Sequence, residues 1–457
     1  MNMKTIINLK RNIEEYAEKI VSISGWVRSN RAQKEFGFLQ VNDGTTLNHI
    51  QVVYDDSLDN FKDIQKIGVG SSVEVTGEVV LTPERPQPFE IKAKLVSLIC
   101  EAGEDYPIQP KRHSREFLRE VAHLRPRTNL FNAVFRTRSI MAHAIHEFFQ
   151  NQDFVYVHTP ILTGNDGEGA GEMFTVTTLK EIKKNDDFSK DFFQRQVFLT
   201  VTGQLHAEAY AQAFRNVYTF GPTFRAENSN TPKHGSEFWM IEPEMAFTDL
   251  NKLMDIAEAM VKHLVQTLFD KLPDELELFD KFVEKGLKER LKVVLEKPFY
   301  RVTHEEAINI LLKAKTQFEF KPEHGEDLRT EHEKYLTEVH FDAPVFVTNW
   351  PKDIKAFYMR QNDDGKTVAA MDLLVAKSGE LIGGSQREER FDLLTKRMKE
   401  LDMHSEQIEW YINLRKYGGT TSSGFGLGFE RLIMFITGVE NIRDVIPFPR
   451  TPRNCDF

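Results

Sequence analysis

Charged residues in the stretch FRAENSNTPKHGSEFWMIEPEM, residues 224–245, have a spacing that suits a ligand site. Arg225 and Glu227 are two residues apart, so on an extended strand their side chains point to the same side. The middle, NSNTPKHGS, is typical of a loop, and the return segment again places Glu242 and Glu244 on one face. Charges that share a face within an apolar segment predict the lining of a site. Taken alone, Arg225 and Glu227 also fit a surface ion pair.

Two further segments combine charged residues with glycines. In GFGLGFERL, residues 424–432, small glycines that permit close backbone approach precede Arg431 in the first turn of an apolar helix. The segment lacks the lysine and hydroxyl residue that end a P-loop, so by itself it indicates packing as well as binding. In MDLLVAKSGELIGGSQR, residues 371–387, Asp372 and Glu380 flank a turn. Two exposed acids at strand ends are the alternative interpretation.

A predicted helix begins within TVTGQLHAEAY, residues 200–210. Gln204 and Glu208 are four residues apart and therefore share one helix face. Upstream, the glycine-rich segment GNDGEGAGEMF, residues 164–174, contains Glu168. Its glycines favour a hinge, although a passive turn has the same composition.

The composition predicts a folded, soluble protein. Hydrophobic residues make up 40% and charged residues 28% of the 457 residues. No apolar run approaches the roughly 18 residues that a membrane helix needs, and the first residues lack the features of a signal peptide. Only two cysteines occur, Cys100 and Cys455, with no CxxC pair. This excludes a cysteine zinc site and favours the reducing cytoplasm.

The distribution of charge matters more than its sum. The formal net charge is −10, yet residues 111–138 hold 8 basic and 2 acidic residues. An acidic chain can bind nucleic acid through such a local basic patch. The segment is either a solvated connector or a contact with a phosphate backbone.

The pattern of elements changes along the chain. Five short alternating runs within residues 1–104 predict a small barrel such as an OB-fold. Residues 105–130, marked by Pro107 and Pro110 near their start, are predicted to form a hinge or connector. From residue 131, helical spacing and strands alternate, which predicts an α+β domain over residues 131–457 with a mostly antiparallel sheet. A charged, helical insertion is expected at about 271–340.

Three of these segments together resemble the signature motifs of class II aminoacyl-tRNA synthetases. FRAE with Glu237–Phe238 resembles the second motif, GLGFER the third, and the helix and strand that end in HTPIL the first, with Pro160 at a dimer interface. A barrel followed by these motifs resembles subclass IIb, the aspartate, asparagine and lysine enzymes, over essentially the whole chain. The resemblance implies an OB-fold anticodon-binding domain, a catalytic domain built on an antiparallel sheet flanked by helices, ATP and Mg²⁺ as cofactors, and a cytoplasmic homodimer that binds tRNA but not DNA.

The resemblance also assigns roles at the nucleotide. Arg225 would contact the α-phosphate and the amino-acid carboxylate, neutralising charge at the reacting phosphorus. Glu227 would accept a hydrogen bond from the adenine amino group. Phe238 and Arg431 would sandwich the adenine ring, and Arg431 with His234 would hold the terminal phosphates.

By the same resemblance, Asp372 and Glu380 would bind Mg²⁺, for which hard carboxylate oxygens are suitable ligands. In the barrel, Phe38 and Gln51 match positions that stack on and hydrogen-bond the middle anticodon base. Phe36 shares a strand face with Phe38, so one or both are alternatively core residues.

Residues that match the amino-acid site of the subclass favour asparagine as the expected substrate and tRNA(Asn) as the expected partner. Aspartate enzymes of the subclass carry a lysine one position before Glu208, where this chain has Ala207. Glu208 would accept from a carboxamide NH₂ and repel aspartate, while Arg387 would donate to the carboxamide oxygen. A surface glutamate is the alternative for Glu208. Further residues match positions near the substrate ammonium: Glu168, Gln204 and Glu242.

Three rival functions remain at this stage. An aspartate–tRNA ligase is disfavoured by Ala207 and Glu208. A synthetase-like RNA-binding protein that no longer charges tRNA is disfavoured because the charged motif residues are intact. An ammonia-dependent asparagine synthetase shares the catalytic fold, but it does not need the N-terminal barrel.

Overall fold

The computed structural model divides into two units, residues 1–133 and 134–457. Strands whose side chains alternate between inside and outside build the first unit. The structure describes residues 3–85, 87–165, 167, 172–180, 187–403 and 408–457. In the first unit, five strands close into a barrel in the order β1-β2-β3-β5-β4. The strands are β1 Ile20–Ala32, β2 Phe36–Asn42, β3 Ile50–Asp55, β4 Ser72–Leu81 and β5 Phe89–Cys100.

Apolar side chains fill the barrel because every second residue of a strand points inward. Leu39, Val41, Val52 and Val75 are fully buried there. Four short helices accompany the barrel in this unit: α1 Ile6–Arg11, α2 Ile13–Tyr16, α3 Phe61–Ile64 and α4 Arg115–Glu120.

The second unit is built on an eight-stranded sheet in the order β12-β13-β14-β15-β16-β11-β10-β6. Its pairs are antiparallel except for β12–β13 and β10–β6, as the alternation of strands and loops predicts. A separate three-stranded sheet has the order β7-β9-β8. The strands are β6 Val155–Tyr156, β7 Leu162–Thr163, β8 Thr175–Val176, β9 Val197–Leu199, β10 Asn216–Phe224, β11 Glu237–Ala246, β12 Tyr300–Thr303, β13 Val345–Pro351, β14 Thr367–Val375, β15 Gly379–Gln386 and β16 Ser422–Gly428.

Helices flank this sheet. The long amphipathic helix α7 packs its buried face against β14, β15 and β16, and α14 packs against β11 and β16. No helix among the described residues is long and apolar enough to cross a membrane. The helices are α5 Asn129–Gln150, α6 Gln204–Phe214, α7 Leu250–Lys271, α8 Pro273–Phe282, α9 Leu287–Glu296, α10 His304–Leu312, α11 Thr330–Tyr335, α12 Phe391–Glu400, α13 Glu409–Asn413 and α14 Phe429–Thr437.

Two sequence expectations take a more specific form in the structure. The segment at 271–340 holds α8 to α11, but it also supplies β12, which pairs in parallel with β13 at the sheet edge. The predicted hairpin is present as β10 and β11, with Phe224 opposite Glu237. Arg225 and Glu227 follow directly after the end of β10. They therefore lie in the loop of the hairpin, beyond the last paired residues of the two strands.

Candidate active site

A cavity of about 330 Å³ opens on the face formed by β11, β14, β15 and β16. Residues far apart in the sequence meet here because these four strands are neighbours in the sheet. The cavity is lined by ten of the residues that the sequence singles out: Gln204, Arg225, Glu227, His234, Phe238, Glu242, Asp372, Glu380, Arg387 and Arg431.

The hairpin and the start of α14 form one end of the cavity. The backbone N–H of Arg225 donates to Ser236 at 3.0 Å, which closes the hairpin across its loop. This places the Arg225 guanidinium 5.5 Å from the centroid of the Phe238 ring. Arg431 donates from Nη1 to the backbone oxygen of Glu380 at 3.3 Å. The end therefore combines an aromatic face with two guanidinium groups, a set suited to a base and its phosphates.

Two carboxylates face each other beside this end. A Cβ built on Gly383 would lie 2.9 Å from Glu380 Oε1 and 3.5 Å from Asp372 Oδ1, so both oxygens reach the same small space. The pKa of Asp372 is raised to about 7, chiefly by burial and also by the nearby Glu380, while Lys355 opposes the rise. Lys355 Nζ donates to Asp372 Oδ2 at 2.6 Å. Among the described residues, no group of three or more His, Cys, Asp or Glu residues forms a metal cluster.

The opposite wall contains a buried ion pair that joins β11 to the segment after β15. Arg387 donates from Nε to Glu244 Oε2 at 3.1 Å and from Nη2 to Glu244 Oε1. Glu244 is 1% exposed, and burial raises its pKa to about 8 against the lowering effect of Arg387. Burial alone lowers the pKa of Arg387, but Glu244 and Glu208 raise it overall, so the guanidinium stays charged.

Gly424 makes room for this ion pair. On the neighbouring strand β16, a Cβ at Gly424 would lie 2.2 to 2.3 Å from the carboxylate atoms of Glu244. Only a residue without a side chain permits that approach.

Glu208 is buried behind the residues that line the cavity. It is 3% exposed and is not among the residues that line the cavity. Its carboxylate accepts from Arg415 Nη2 at 3.0 Å, from the Tyr411 hydroxyl at 2.9 Å and from Gln204 Nε2 at 3.1 Å. The structure therefore gives Glu208 protein partners instead of the direct ligand contact that the sequence suggests.

Gln204 and Glu242 lie between these two ends. The Thr202 hydroxyl donates to Glu242 Oε1, and the backbone N–H of Gly203 donates to Glu242 Oε2 at 2.9 Å. The negative charge of Glu242 thus faces the middle of the cavity from a fixed position. Glu168 lies outside the described residues.

The two candidate anticodon residues lie on the outer face of the barrel. Phe38 on β2 is half-buried, and its ring contacts Phe36 edge-on at 5.5 Å. Because the fully buried Leu39 alternates with them, neither phenylalanine belongs to the barrel core. Gln51 on β3 donates from Nε2 to Glu90 at 2.9 Å. The structure thus presents an aromatic ring and an amide on adjacent strands.

Sequence reasoning missed three residues in and around the site: Lys355, Tyr411 and Arg415. It placed Glu244 on one strand face with Glu242, but it gave Glu244 no separate role. Lys355, Tyr411 and Arg415 have no local signal because their partners Asp372 and Glu208 lie far away in the sequence.

Comparisons with known proteins agree with this geometry. Residues 114–452 match the family of class II tRNA synthetases for D, K and N, and residues 21–99 match the OB-fold nucleic acid binding domain. The asparagine–tRNA ligase of Acholeplasma laidlawii is 63% identical over 99% of each chain, and that of Clostridium novyi is 59% identical over 100% of each. Asparaginyl-tRNA synthetase from Pyrococcus horikoshii, solved with asparaginyl-adenylate, superposes with a TM-score of 0.85 at 34% identity over 96% of each chain.

The chain therefore belongs to the class II tRNA synthetases and, within that class, to the asparagine–tRNA ligases. The predicted subclass and the predicted order of OB-fold and catalytic domain are confirmed.

Proposed function

We propose that this chain activates L-asparagine with ATP and then transfers asparagine to the 3′-terminal adenosine of tRNA(Asn). The observation that carries the proposal is the Arg387–Glu244 pair in the wall of the cavity. A carboxamide offers an acceptor oxygen and an NH₂ donor. Arg387 can donate to the oxygen and Glu244 can accept from the NH₂, whereas an aspartate carboxylate would meet Glu244 as a like charge.

In the first step, a carboxylate oxygen of asparagine attacks the α-phosphorus of ATP. A phosphorus–oxygen bond forms as the bond to the bridging oxygen breaks, and pyrophosphate leaves with that electron pair. Arg225 would hold both the attacking carboxylate and the α-phosphate, so its contribution is positioning and neutralisation of developing charge. In the second step, the terminal adenosine hydroxyl of the tRNA attacks the carbonyl carbon of the adenylate and AMP leaves.

The nucleotide end of the cavity supports the remaining ATP contacts. Glu227 would accept from the adenine amino group, Phe238 and Arg431 would enclose the adenine ring, and His234 with Arg431 would hold the terminal phosphates. All four residues line the same cavity as Arg225.

Asp372 and Glu380 would hold Mg²⁺, which would neutralise phosphate charge when bound. The residues fit a cation, because two carboxylates converge over Gly383, and burial together with the nearby Glu380 raises the pKa of Asp372. Lys355 supplies the positive charge that Asp372 contacts in this structure.

Glu242 and Gln204 would bind the substrate ammonium together with Glu168. Glu242 is suited to this role because its carboxylate is held by Thr202 and Gly203 while it faces the cavity. A fixed anion binds an ammonium with little loss of side-chain freedom.

We assign residues 1–104 to anticodon binding, 105–130 to a connector and 131–457 to catalysis, with the insertion at about 271–340 inside the catalytic part. The two matched family regions, 21–99 and 114–452, support this division. Phe38 would stack on the middle anticodon base and Gln51 would read its edge.

We also propose a cytoplasmic homodimer. Exposed aromatic residues support the dimer, since Trp239 and Phe448 line a shallow depression in the second unit and are 37% and 44% exposed. The two free, exposed cysteines suit a reducing compartment. Sedimentation equilibrium should give twice the mass of one chain, and a monomeric mass would contradict the dimer.

Amino-acid-dependent ATP–pyrophosphate exchange tests the function directly. Without tRNA, exchange is expected with asparagine and not with aspartate. Exchange with aspartate alone would retain the adenylate chemistry and overturn the specificity. The absence of exchange with both amino acids would contradict the enzyme proposal.

A further inference from the structure

A buried network of charges continues behind the cavity wall. It consists of two carboxylates and two guanidinium groups whose side chains are each at most 3% exposed: Glu208, Glu244, Arg387 and Arg415. Only Glu244 and Arg387 line the cavity. Glu208 and Arg415 therefore form a layer behind the residues that line the cavity.

Arg387 connects the two layers. Its guanidinium binds Glu244 through two hydrogen bonds, one of them from Nε, and the same Nε lies 3.7 Å from Glu208 Oε1. Nη1 donates to the Ser385 hydroxyl at 2.9 Å, and the ring of Tyr358 lies 5.2 Å from the guanidinium carbon. The orientation of Arg387 thus depends on two carboxylates, one hydroxyl and one ring, and only one of the carboxylates lines the cavity.

Glu208 in turn is held by Arg415 and Tyr411. Arg415 Nη2 donates to Glu208 Oε2 at 3.0 Å and to the Tyr411 hydroxyl at 2.8 Å, and that hydroxyl donates to Glu208 Oε1 at 2.9 Å. Arg415 is itself anchored, since its Nε donates to the backbone oxygen of Glu388 at 2.9 Å. Both oxygens of Glu208 are occupied, so its charge has a defined position behind Arg387.

The formal charges of the network sum to zero when both carboxylates are ionised, a state that the guanidinium of Arg387 favours for Glu244. In a buried site, loss of one member leaves an uncompensated charge that water cannot screen. Such a charge would act on whatever occupies the cavity beside Arg387.

We propose that Arg415 and Tyr411 are positioning residues that set the preference for a carboxamide over a carboxylate, because they hold the Glu208 carboxylate beside Nε of Arg387. This inference rests on the proposed function. It also replaces a direct contact of Glu208 with the substrate by an action through Arg387. A neutral wall with a fixed guanidinium suits the neutral side chain of asparagine, whereas a wall with excess positive charge suits aspartate.

The charge balance can be broken and restored with two substitutions. Glu208→Gln keeps the shape but leaves the wall with one excess positive charge. The ratio of kcat/KM for aspartate to that for asparagine is then expected to rise about tenfold or more, as for other changes of a close buried charge partner. Adding Arg415→Met removes the excess charge and should return the ratio towards the value of the unmodified protein.

Tyr411→Phe tests the positioning itself. It removes one hydrogen bond to Glu208 and leaves every formal charge in place. The KM for asparagine is expected to rise about threefold to tenfold, with the KM for ATP unchanged. A purely structural role would instead lower the active fraction and leave both KM values unchanged.

The readout is ATP–pyrophosphate exchange of the full chain, with asparagine and aspartate measured on the same sample. Because a ratio does not depend on the fraction of folded enzyme, loss of stability does not imitate the effect. Arg290→Met is the matched control: Arg290 pairs with Glu284 at 2.7 Å, and neither residue lines the cavity. This variant should leave the ratio unchanged.

The outcomes separate the inference from the function. If the unmodified protein activates asparagine but Glu208→Gln leaves the ratio unchanged, the inference is wrong and the proposed function stands. A double variant with the same altered ratio as Glu208→Gln would likewise overturn the role of Arg415. If the unmodified protein activates no asparagine, the proposed function itself fails.

Discussion

At the scale of single residues, the site is a set of buried charges that each need a partner. Asp372 illustrates this, because its motif indicates a carboxylate but not the lysine that binds it. Lys355 lies in the segment between β13 and β14, donates to Asp372 at 2.6 Å and rests over the Trp350 ring at 4.1 Å. The residue that favours the ionised form of Asp372 thus comes from a segment with no recognisable motif.

Replacement of Lys355 by methionine should destabilise the protein in the absence of metal and nucleotide. Removing one partner of a buried ion pair costs about 3 kcal/mol or more, and a value of roughly 2 kcal/mol is expected here because the two side chains are 17% and 10% exposed. Adding Asp372→Asn should recover part of the loss, since no buried charge is then left alone. Urea unfolding of both variants measures this, and a double variant less stable than Lys355→Met would contradict the explanation.

At the scale of elements, adjacent strands bring the charged residues together. β16 runs between β15 and β11, so Gly424 lies directly opposite Glu244. The motif GFGLGFERL is recognisable in the sequence. Position 424 requires a glycine because the Glu244 carboxylate on the neighbouring strand lies against it.

Gly424→Ala should lower asparagine-dependent exchange. The new methyl group would overlap the Glu244 carboxylate and push it away from Arg387. Overpacking of this kind costs about 1–3 kcal/mol, which corresponds to roughly tenfold or more in kcat/KM.

Gly426→Ala is the matched control, two residues along the same strand. There the methyl group would meet the flexible end of Met240 at 2.8 Å, which can move aside. Equal losses in the two alanine variants would show that Glu244 is not the reason.

At the scale of the whole molecule, we expect tRNA reading and amino-acid activation to reside in different units. Phe38→Ala removes a half-buried aromatic ring from the outer face of the barrel and should leave the barrel core intact, because Phe38 lies outside that core. Aminoacylation of tRNA(Asn) is expected to show a KM raised about tenfold, in line with the loss of one base–aromatic stack. ATP–pyrophosphate exchange without tRNA should be unchanged, and a parallel loss of exchange would contradict the separation.

Buried histidines should make a destabilising contribution in mild acid. Burial lowers the pKa of four histidines below the usual 6.5: His49, His146, His206 and His304. The unfolded chain therefore binds protons near pH 6.5 that these histidines bind in the folded chain only at lower pH, so their contribution to the free energy of unfolding decreases below pH 6.5. The raised pKa values of Asp372 and Glu244 act in the opposite direction, so the histidine contribution is isolated by comparison with His304→Gln. The change in urea midpoint from pH 7.5 to 5.5 should be less destabilising in His304→Gln than in the unmodified protein, and an equal or more destabilising change would contradict the sign.

The sequence by itself determines the order of the parts and the residue types of the site. Local patterns suffice for this, because period-two alternation, turn residues and the motifs around Arg225, Asp372 and Arg431 all lie within short segments. They predicted the barrel, the class II fold and ten residues that share one cavity.

Only the tertiary structure decided which charges pair. Glu208 indicates a ligand contact when it is considered alone, yet the fold surrounds it with Tyr411 and Arg415, some 200 positions further along the chain. The reason is physical: a buried charge must be compensated by whichever group the packed sheet and helices bring near, and sequence distance does not limit that choice. The burial of Glu208 behind the cavity wall and the position of Glu244 in that wall follow from how the sheet and helices pack. A single sequence segment does not encode that packing.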